Sequence, residues 1–256
     1  MRNLVLVFLF FSLFVFPLYS ADQTALDIAQ LIKESNTGFV GEQGKMEMIL
    51  KLENQEIKRL MVSKSLEVSP HENRTLLVFE IPKDVRGTKL LTWSFESKDD
   101  SQWIYLPSLR RVKRITSSGS SSSFMGSEFT FEDLRNSGIK KYEYSNLSQL
   151  KKDNDILWKY NRNSLKKSGY SKQIVTVSKK FMNIVKVEYF DRSGEKLKVA
   201  EFSNFKKFEV KSKVMWRAGR IVMRNVQTKK SSILIWSERK LGVRINKSVF
   251  QKGSLK

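Results

Sequence analysis

Gly44-Lys45-Met46-Glu47-Met48-Ile49-Leu50-Lys51-Leu52-Glu53 is the stretch whose reading decides the fold. Met46, Met48, Leu50 and Leu52 alternate with Glu47, Lys51 and Glu53, and a period of two is that of a strand with one dry face and one wet face. The polar run Glu53-Asn54-Gln55-Glu56 follows as a turn, so the next strand, over 59–68, folds back on the first as a hairpin. The same grammar continues outward through 75–81, 89–96 and 102–106, and again through 173–178, 184–190, 197–208, 213–216, 220–226 and 231–241. Charged or Gly/Pro turns separate these segments, among them Asp191-Arg192-Ser193-Gly194. Strands that follow one another through short links pair antiparallel. The expected fold class is therefore mainly β, one long and strongly curved antiparallel sheet.

A helix precedes the strands. Thr24 is placed to cap it, Asp27 stands three residues on as in a capping box, and Ala25, Ile28, Ala29, Leu31 and Ile32 form one apolar stripe. In the middle of the chain Ser117 to Ser123 is almost all serine and reads as a mobile loop, and Phe129 to Asn136 reads as a short helix. Lys151 to Lys167, polar and basic around Ile156, Leu157, Trp158 and Tyr160, fits a helix or a loop equally.

The N-terminus is of another kind. Arg2, the apolar run Leu4 to Phe16 broken by Ser12, and the exit Pro17-Leu18-Tyr19-Ser20-Ala21 have the order of a secretory signal, with cleavage expected after Ser20. The run is shorter than the ~20 apolar residues a membrane span needs, which disfavours a retained anchor, and the chain has no cysteine for lipid attachment. The expected organisation is a signal over 1–20 and a single domain over 21–256, exported to the periplasm and able to sit peripherally on a membrane. Removing the signal takes only Arg2 from the basic side, lowering the net charge from +21 to +20. Inside a cell such a charge points to nucleic acid; in an exported protein it points to an anionic membrane surface, with no nucleic acid partner. Without cysteine, stability rests on burial.

Catalytic patterns are thin. The single histidine, His71, sits in the turn Pro70-His71-Glu72-Asn73, and no zinc set or triad assembles around it. Gly126-Ser127-Glu128 lacks the second glycine of a nucleophile elbow, and the neighbours Glu132 and Asp133 would point apart on a helix. The expectation is a protein that is not an enzyme, with no catalytic residue, metal or cofactor. Two groups carry more meaning. The basic run Arg110, Arg111, Lys113 and Arg114 is either a charged strand edge that discourages edge-to-edge pairing or an electrostatic contact patch. The aromatic cluster Trp93, Phe95, Trp103, Tyr105, Phe124, Met125 and Phe129, with Leu91, is either ordinary core or the lining of an acyl-chain cavity, in which Phe124 and Met125 would act as an adaptable lid. Alternation places Leu91, Trp93 and Phe95 on one face, taken as the interior, and Thr92 and Ser94 on the other.

Trp103-Ile104-Tyr105-Leu106-Pro107, the basic run, and Phe124-Met125-Gly126-Ser127-Glu128-Phe129 with Glu132-Asp133-Leu134 together resemble a known family. The chain looks like the outer-membrane lipoprotein-sorting proteins, the LolA-like group associated with RND-type exporters. Tyr189-Phe190-Asp191-Arg192-Ser193-Gly194 is similar to that family's later hairpin, Glu128 stands where its members usually carry aspartate, and 244–255 matches loosely. The resemblance implies an unclosed half-barrel with a few helices over its mouth and an apolar cavity. It also implies a carrier or accessory role for a lipid or lipoprotein acyl chain in outer-membrane lipoprotein sorting or lipid export, with an inner-membrane RND-type exporter as partner. The rival expectation is a non-catalytic periplasmic adaptor that uses the same half-barrel and takes up no lipid.

Overall fold

The computed structural model describes residues 23–53, 55–135 and 138–256, so the signal and its cleavage point lie outside the described residues. Helix α1, Ala25–Asn36, opens the fold. Thr24 Oγ1 accepts from Asp27 N at 3.2 Å and Asp27 returns the bond to Thr24 N at 2.8 Å, the reciprocal capping expected from the sequence. Its stripe, Ala25, Ile28 and Ala29, is buried against the sheet.

Thirteen strands follow: β1 Gly41–Lys51, β2 Glu56–Ser69, β3 Glu72–Ile81, β4 Lys89–Phe95, β5 Ser101–Leu106, β6 Arg111–Ile115, β7 Tyr142–Lys152, β8 Asp155–Ser164, β9 Lys172–Ser178, β10 Asn183–Phe190, β11 Lys196–Val210, β12 Lys213–Asn225 and β13 Ser231–Leu241. They form one antiparallel sheet in the order β6-β5-β4-β3-β2-β1-β13-β12-β11-β10-β9-β8-β7. The sheet is thus two meanders joined by β1 on β13. Its free edges, β6 and β7, are consecutive in the chain and do not pair with each other, so the barrel stays open between them.

Three differences from the sequence reading have physical reasons. The run 213–226 is one strand, since Lys213 to Arg220 stays in register with β11. Residues 142–164 are a hairpin, β7 and β8, whose inward positions Tyr144, Trp158 and Tyr160 are large enough to sit in the core while most of β7 is exposed. The described part of Phe129 to Asn136 is a series of turns and not a helix, because Asp133 binds Thr130 N instead of leaving it to a helical carbonyl.

The main core fills the concave face: Met46, Met48 and Leu50 of β1, Leu90, Ile104, Val175, Val177 and Leu234 all belong to it. Their neighbours in sequence point the other way. Ile49, Val222 and Ile233 form a small convex patch, and Leu76, Leu91 and Trp103 form a larger one beneath two short 3-10 turns, Lys247–Phe250 and Lys252–Leu255.

Candidate functional site

The open edge of the barrel is bridged by residues 116–141, and this segment turns inward. Phe124, Phe129 and Phe131 are buried in the concave core, Phe124 with no exposure at all, its ring centroid 5.7 Å from Phe79 and 5.5 Å from Phe131. The serine run is accordingly an ordered scaffold and not a mobile loop. Ser120 Oγ donates to Ser117 O at 2.8 Å, Ser123 Oγ to Ser127 O at 2.6 Å and Ser127 Oγ to Phe124 O at 2.7 Å. Met125, at φ 53°, rests half-buried against the core, and the Arg59 guanidinium donates to its carbonyl.

A buried ion pair pins the segment. Lys198 Nζ on β11 lies 2.6 Å from Asp133 Oδ2, with the two side chains 3% and 2% exposed. Thr130 N and the Tyr170 hydroxyl also donate to Asp133, both at 2.7 Å. Burial, and then the Asp133 carboxylate, raise the Tyr170 phenol above its ordinary range, so it remains a donor. Glu128 Oε2 accepts from Asn225 Nδ2 at 2.9 Å and Glu132 Oε2 from Gly169 N at 2.9 Å. The acidic side chains of this motif hold backbone and strands together.

Among the described residues, two of the hollows adjoin the concave core. One, of about 290 Å³, lies under α1 between Ile32, Phe39, Tyr144, Tyr160, Ile184 and Phe202. The other, of about 280 Å³, lies between the sheet and Phe129 and is lined by Met46, Leu77, Met223, Leu234 and Trp236. Phe202 borders both.

Of the residues expected to line a cavity, Phe124 and Phe129 are inside, Phe129 at the wall of the second cavity. Leu91, Trp93, Trp103 and Tyr105 are not: they face outward, in the convex cluster that Phe250 and Leu255 cover, and Trp93 Nε1 donates to Phe250 O at 2.9 Å. Phe95, half-buried, does line a cavity, the one under α1, with Lys98 Nζ 3.8 Å from its ring centre. The inward face of β4 and β5 carries Leu90, Thr92, Gln102 and Ile104 instead. The reason is the inserted segment, whose backbone needs partners once buried. Gln102 Nε2 donates to Phe131 O at 3.0 Å and to Thr92 Oγ1 at 3.2 Å, and its Oε1 accepts from Arg135 Nε at 2.8 Å.

Arg110, Arg111, Lys113 and Arg114 are exposed at the free edge strand β6, and none forms an ion pair among the described residues. Lys252 and Lys256 join Arg110 and Arg111 around a surface hollow.

A group missed by sequence reasoning stands at the second cavity, whose wall includes Glu42 and Arg239. Glu42 of β1 meets Arg217 of β12 and Arg239 of β13, with Nε to Oε distances of 3.1 Å for both arginines. Burial lowers the Arg239 guanidinium to about 10, with Glu42 opposing and Arg217 adding to the shift, so it stays charged at neutral pH. No sequence signal marks this site, because a β-bulge creates it: Gln43 faces Lys240 and Lys45 faces Ser237, so Gly44 alone opposes Glu238 and Arg239.

An unclosed antiparallel barrel with a helix over its mouth and a cavity inside defines the class. The family model described as an uncharacterized-protein-like family matches residues 71–256. A solved domain from Vibrio parahaemolyticus, described as an outer membrane lipoprotein-sorting protein, is 39% identical with TM-score 0.85, over 90% of this chain and 97% of its own. A DUF1329 family protein from Desulfovibrio piger (23% identical, TM-score 0.83, 91% and 98% covered) and a LolA superfamily protein from Nitrosomonas europaea (19%, 0.68, 91% and 99%) share the fold. No curated protein matches. The chain belongs to the family of the Vibrio lipoprotein-sorting domain and has the LolA-like fold.

Proposed function

We propose that this protein is a periplasmic carrier or accessory factor that shields a lipid or lipoprotein acyl chain, in outer-membrane lipoprotein sorting or lipid export. The observation that carries the reading is the apolar cavity between Met46, Leu77, Met223, Leu234 and Phe129, enclosed by a LolA-like half-barrel. A fold alone does not fix a function, so the argument rests on the cavity. Burying an acyl chain gains about 0.8 kcal/mol per methylene, or roughly 11 kcal/mol for about 14 carbons. Each cavity lies just below the ~300–1,000 Å³ typical of ligand pockets, so a full chain needs both and some give in α1. The expected export and the exposed basic edge Arg110 to Arg114 support a role at an anionic surface, with an inner-membrane RND-type exporter as the proposed partner.

A second reading, a periplasmic adaptor that takes up no lipid, is favoured by one observation, the filling of much of the interior by Phe124, Phe129 and Phe131. Lipid extraction and mass spectrometry of the purified mature protein, with displacement of a fluorescent fatty-acid probe, separates the two. Co-purifying acyl lipid or probe binding supports the carrier; neither, in folded protein, leaves the adaptor.

A further inference from the structure

The Glu42, Arg217 and Arg239 group has one more positive charge than negative, and Glu42 and Arg239 stand in the wall of the second cavity, where Asp133 and Arg135 add one charge of each sign to a mostly apolar lining. Arg217 is well served: its Nε donates to Glu42 Oε2 and its Nη1 to Asn36 Oδ1 at 2.6 Å, near the end of α1. Arg239 is not. Its side chain is 9% exposed and its Nη1 donates to Ala218 O at 2.7 Å, but its Nε, although 3.1 Å from Glu42 Oε1, lies off the hydrogen-bond axis and has no hydrogen-bond partner. Glu42 balances the charge, but a buried N–H left without a hydrogen-bond acceptor is still costly. A strand bulge, with Glu238 at φ 49°, turns this side chain inward, and the ring of Trp236 lies 4.5 Å beneath the guanidinium. One arginine would already neutralise Glu42 and tie β1 to β12. The second is surplus to that role and is aimed at the cavity.

We propose that the cavity takes an amphiphile with a single anionic head, a carboxylate or a phosphate, which Arg239 binds while the acyl chain runs along Met46, Leu77, Met223 and Leu234 toward Phe129. This rests on the carrier reading and names its ligand class: a fatty acid or a lysophospholipid rather than a neutral lipid. An arginine offers both carboxylate and phosphate a charge-assisted hydrogen bond, and the dry surroundings strengthen it.

The test is displacement of a fluorescent fatty acid from the purified mature protein by palmitate, methyl palmitate, palmitoyl lysophosphatidate and inorganic phosphate. Palmitate should displace at a concentration about ten-fold or more below its methyl ester, in keeping with a hydrogen bond to a charged group. Arg239→Met should bring acid and ester together without weakening the ester, and Arg239→Lys should keep part of the preference. Lysophosphatidate ahead of palmitate names a phospholipid source, and the reverse order a free fatty acid. Equal displacement by acid and ester on the unaltered protein overturns the anionic site and leaves acyl carriage standing, a result that needs no variant to fold. Displacement by inorganic phosphate alone overturns the amphiphile in favour of a free-anion site, and absence of probe binding removes both readings.

Discussion

The buried pair Asp133–Lys198 sets how firmly the inserted segment is held, and removing one partner measures it. In Lys198→Met the Asp133 carboxylate keeps Thr130 N and the Tyr170 hydroxyl but loses its countercharge in a site where both side chains are at most 3% exposed. In Asp133→Asn the ammonium loses its countercharge and keeps the Glu128 carbonyl, at 2.9 Å, and the ring faces of Tyr170 and Tyr189. Leaving one charge of a buried pair uncompensated costs about 3–5 kcal/mol. At about 2–4 °C per kcal/mol for a domain of this size, each single change should lower the thermal midpoint by roughly 6–20 °C. The double variant removes both charges and should recover at least about half of the summed loss, since a buried pair replaced as a unit is often near neutral. Circular dichroism melts of the four proteins give the cycle, and chymotrypsin cleavage after Phe124, Phe129 or Phe131 reports whether the segment comes loose before the sheet does. Single costs under about 1 kcal/mol, or strictly additive ones, would refute the claim that this pair anchors the segment.

Three other outcomes follow from the placement of side chains. Trp103→Ala should cost about 3–5 kcal/mol in denaturant titrations while leaving probe affinity unchanged, because Trp103 lies under the C-terminal turns and outside the cavity; a loss of probe without loss of stability would contradict that placement. Replacing Arg110, Arg111, Lys113 and Arg114 with serine should weaken sedimentation with anionic vesicles at low salt and flatten its salt dependence; unchanged binding would leave the run as a solvated edge. Burial pushes the Glu96 carboxyl up, but Lys33 and the amides of Ile139 and Lys140 outweigh it, so it titrates below its ordinary 4.5. Its contribution to holding α1 is therefore complete above about pH 5 and is lost as pH falls through the lower folded value, so hydrogen exchange in α1 should quicken below about pH 4 in the native protein and not in Glu96→Gln.

Strand alternation was legible because a concave core demands it, and Met46, Met48 and Leu50 obey it without exception. Which face of β4 and β5 is the interior was not legible. Leu90 and Leu91, like Ile104 and Trp103, are apolar on both sides, and the larger side chains went to the convex face because a distant part of the chain, Phe250 and Leu255, covers it. The serine run misled for a related reason. Its composition describes a solvated loop, whereas its hydroxyls close bonds on carbonyls three and four residues away and let a polar segment enter the core. The Glu128 and Asp133 motif was visible as a pattern, but its structural task depends on Asn225 and Lys198 of β12 and β11, which no local reading joins to it. Arg239 depends on a bulge that shifts one strand by a residue, and the sequence Ser237-Glu238-Arg239 carries no mark of it.

These placements also decide which wall of the cavity yields to a ligand. The sequence reading gave Phe124 and Met125 the role of a lid, yet Phe124 is fully buried between Phe79 and Phe131 and its segment is tied down by a buried ion pair, worth several kcal/mol to break. Helix α1 is held differently. It buries the small side chains Ala25 and Ala29 with Ile28, and its polar ties run from Lys33 to Glu96, from Asn36 Nδ2 to Met182 O at 2.8 Å, and from Lys213 to the carbonyls of Glu34 and Thr37. Ties of this partly exposed kind contribute about 0–1 kcal/mol each, and an Ala side chain offers little apolar area. Arg217 Nη1 also donates to Asn36 Oδ1, and Leu31 and Ile32 pack on the core, yet none of these ties is a fully buried ion pair like Asp133–Lys198. The cavity beneath the helix reaches Phe202, which borders the second cavity as well. An acyl chain entering under α1 and passing Phe202 would then meet Glu42 and Arg239 in the wall of the second cavity, its tail ahead of its head. That order, tail past the arginine and head stopping at it, is the one an amphiphile requires.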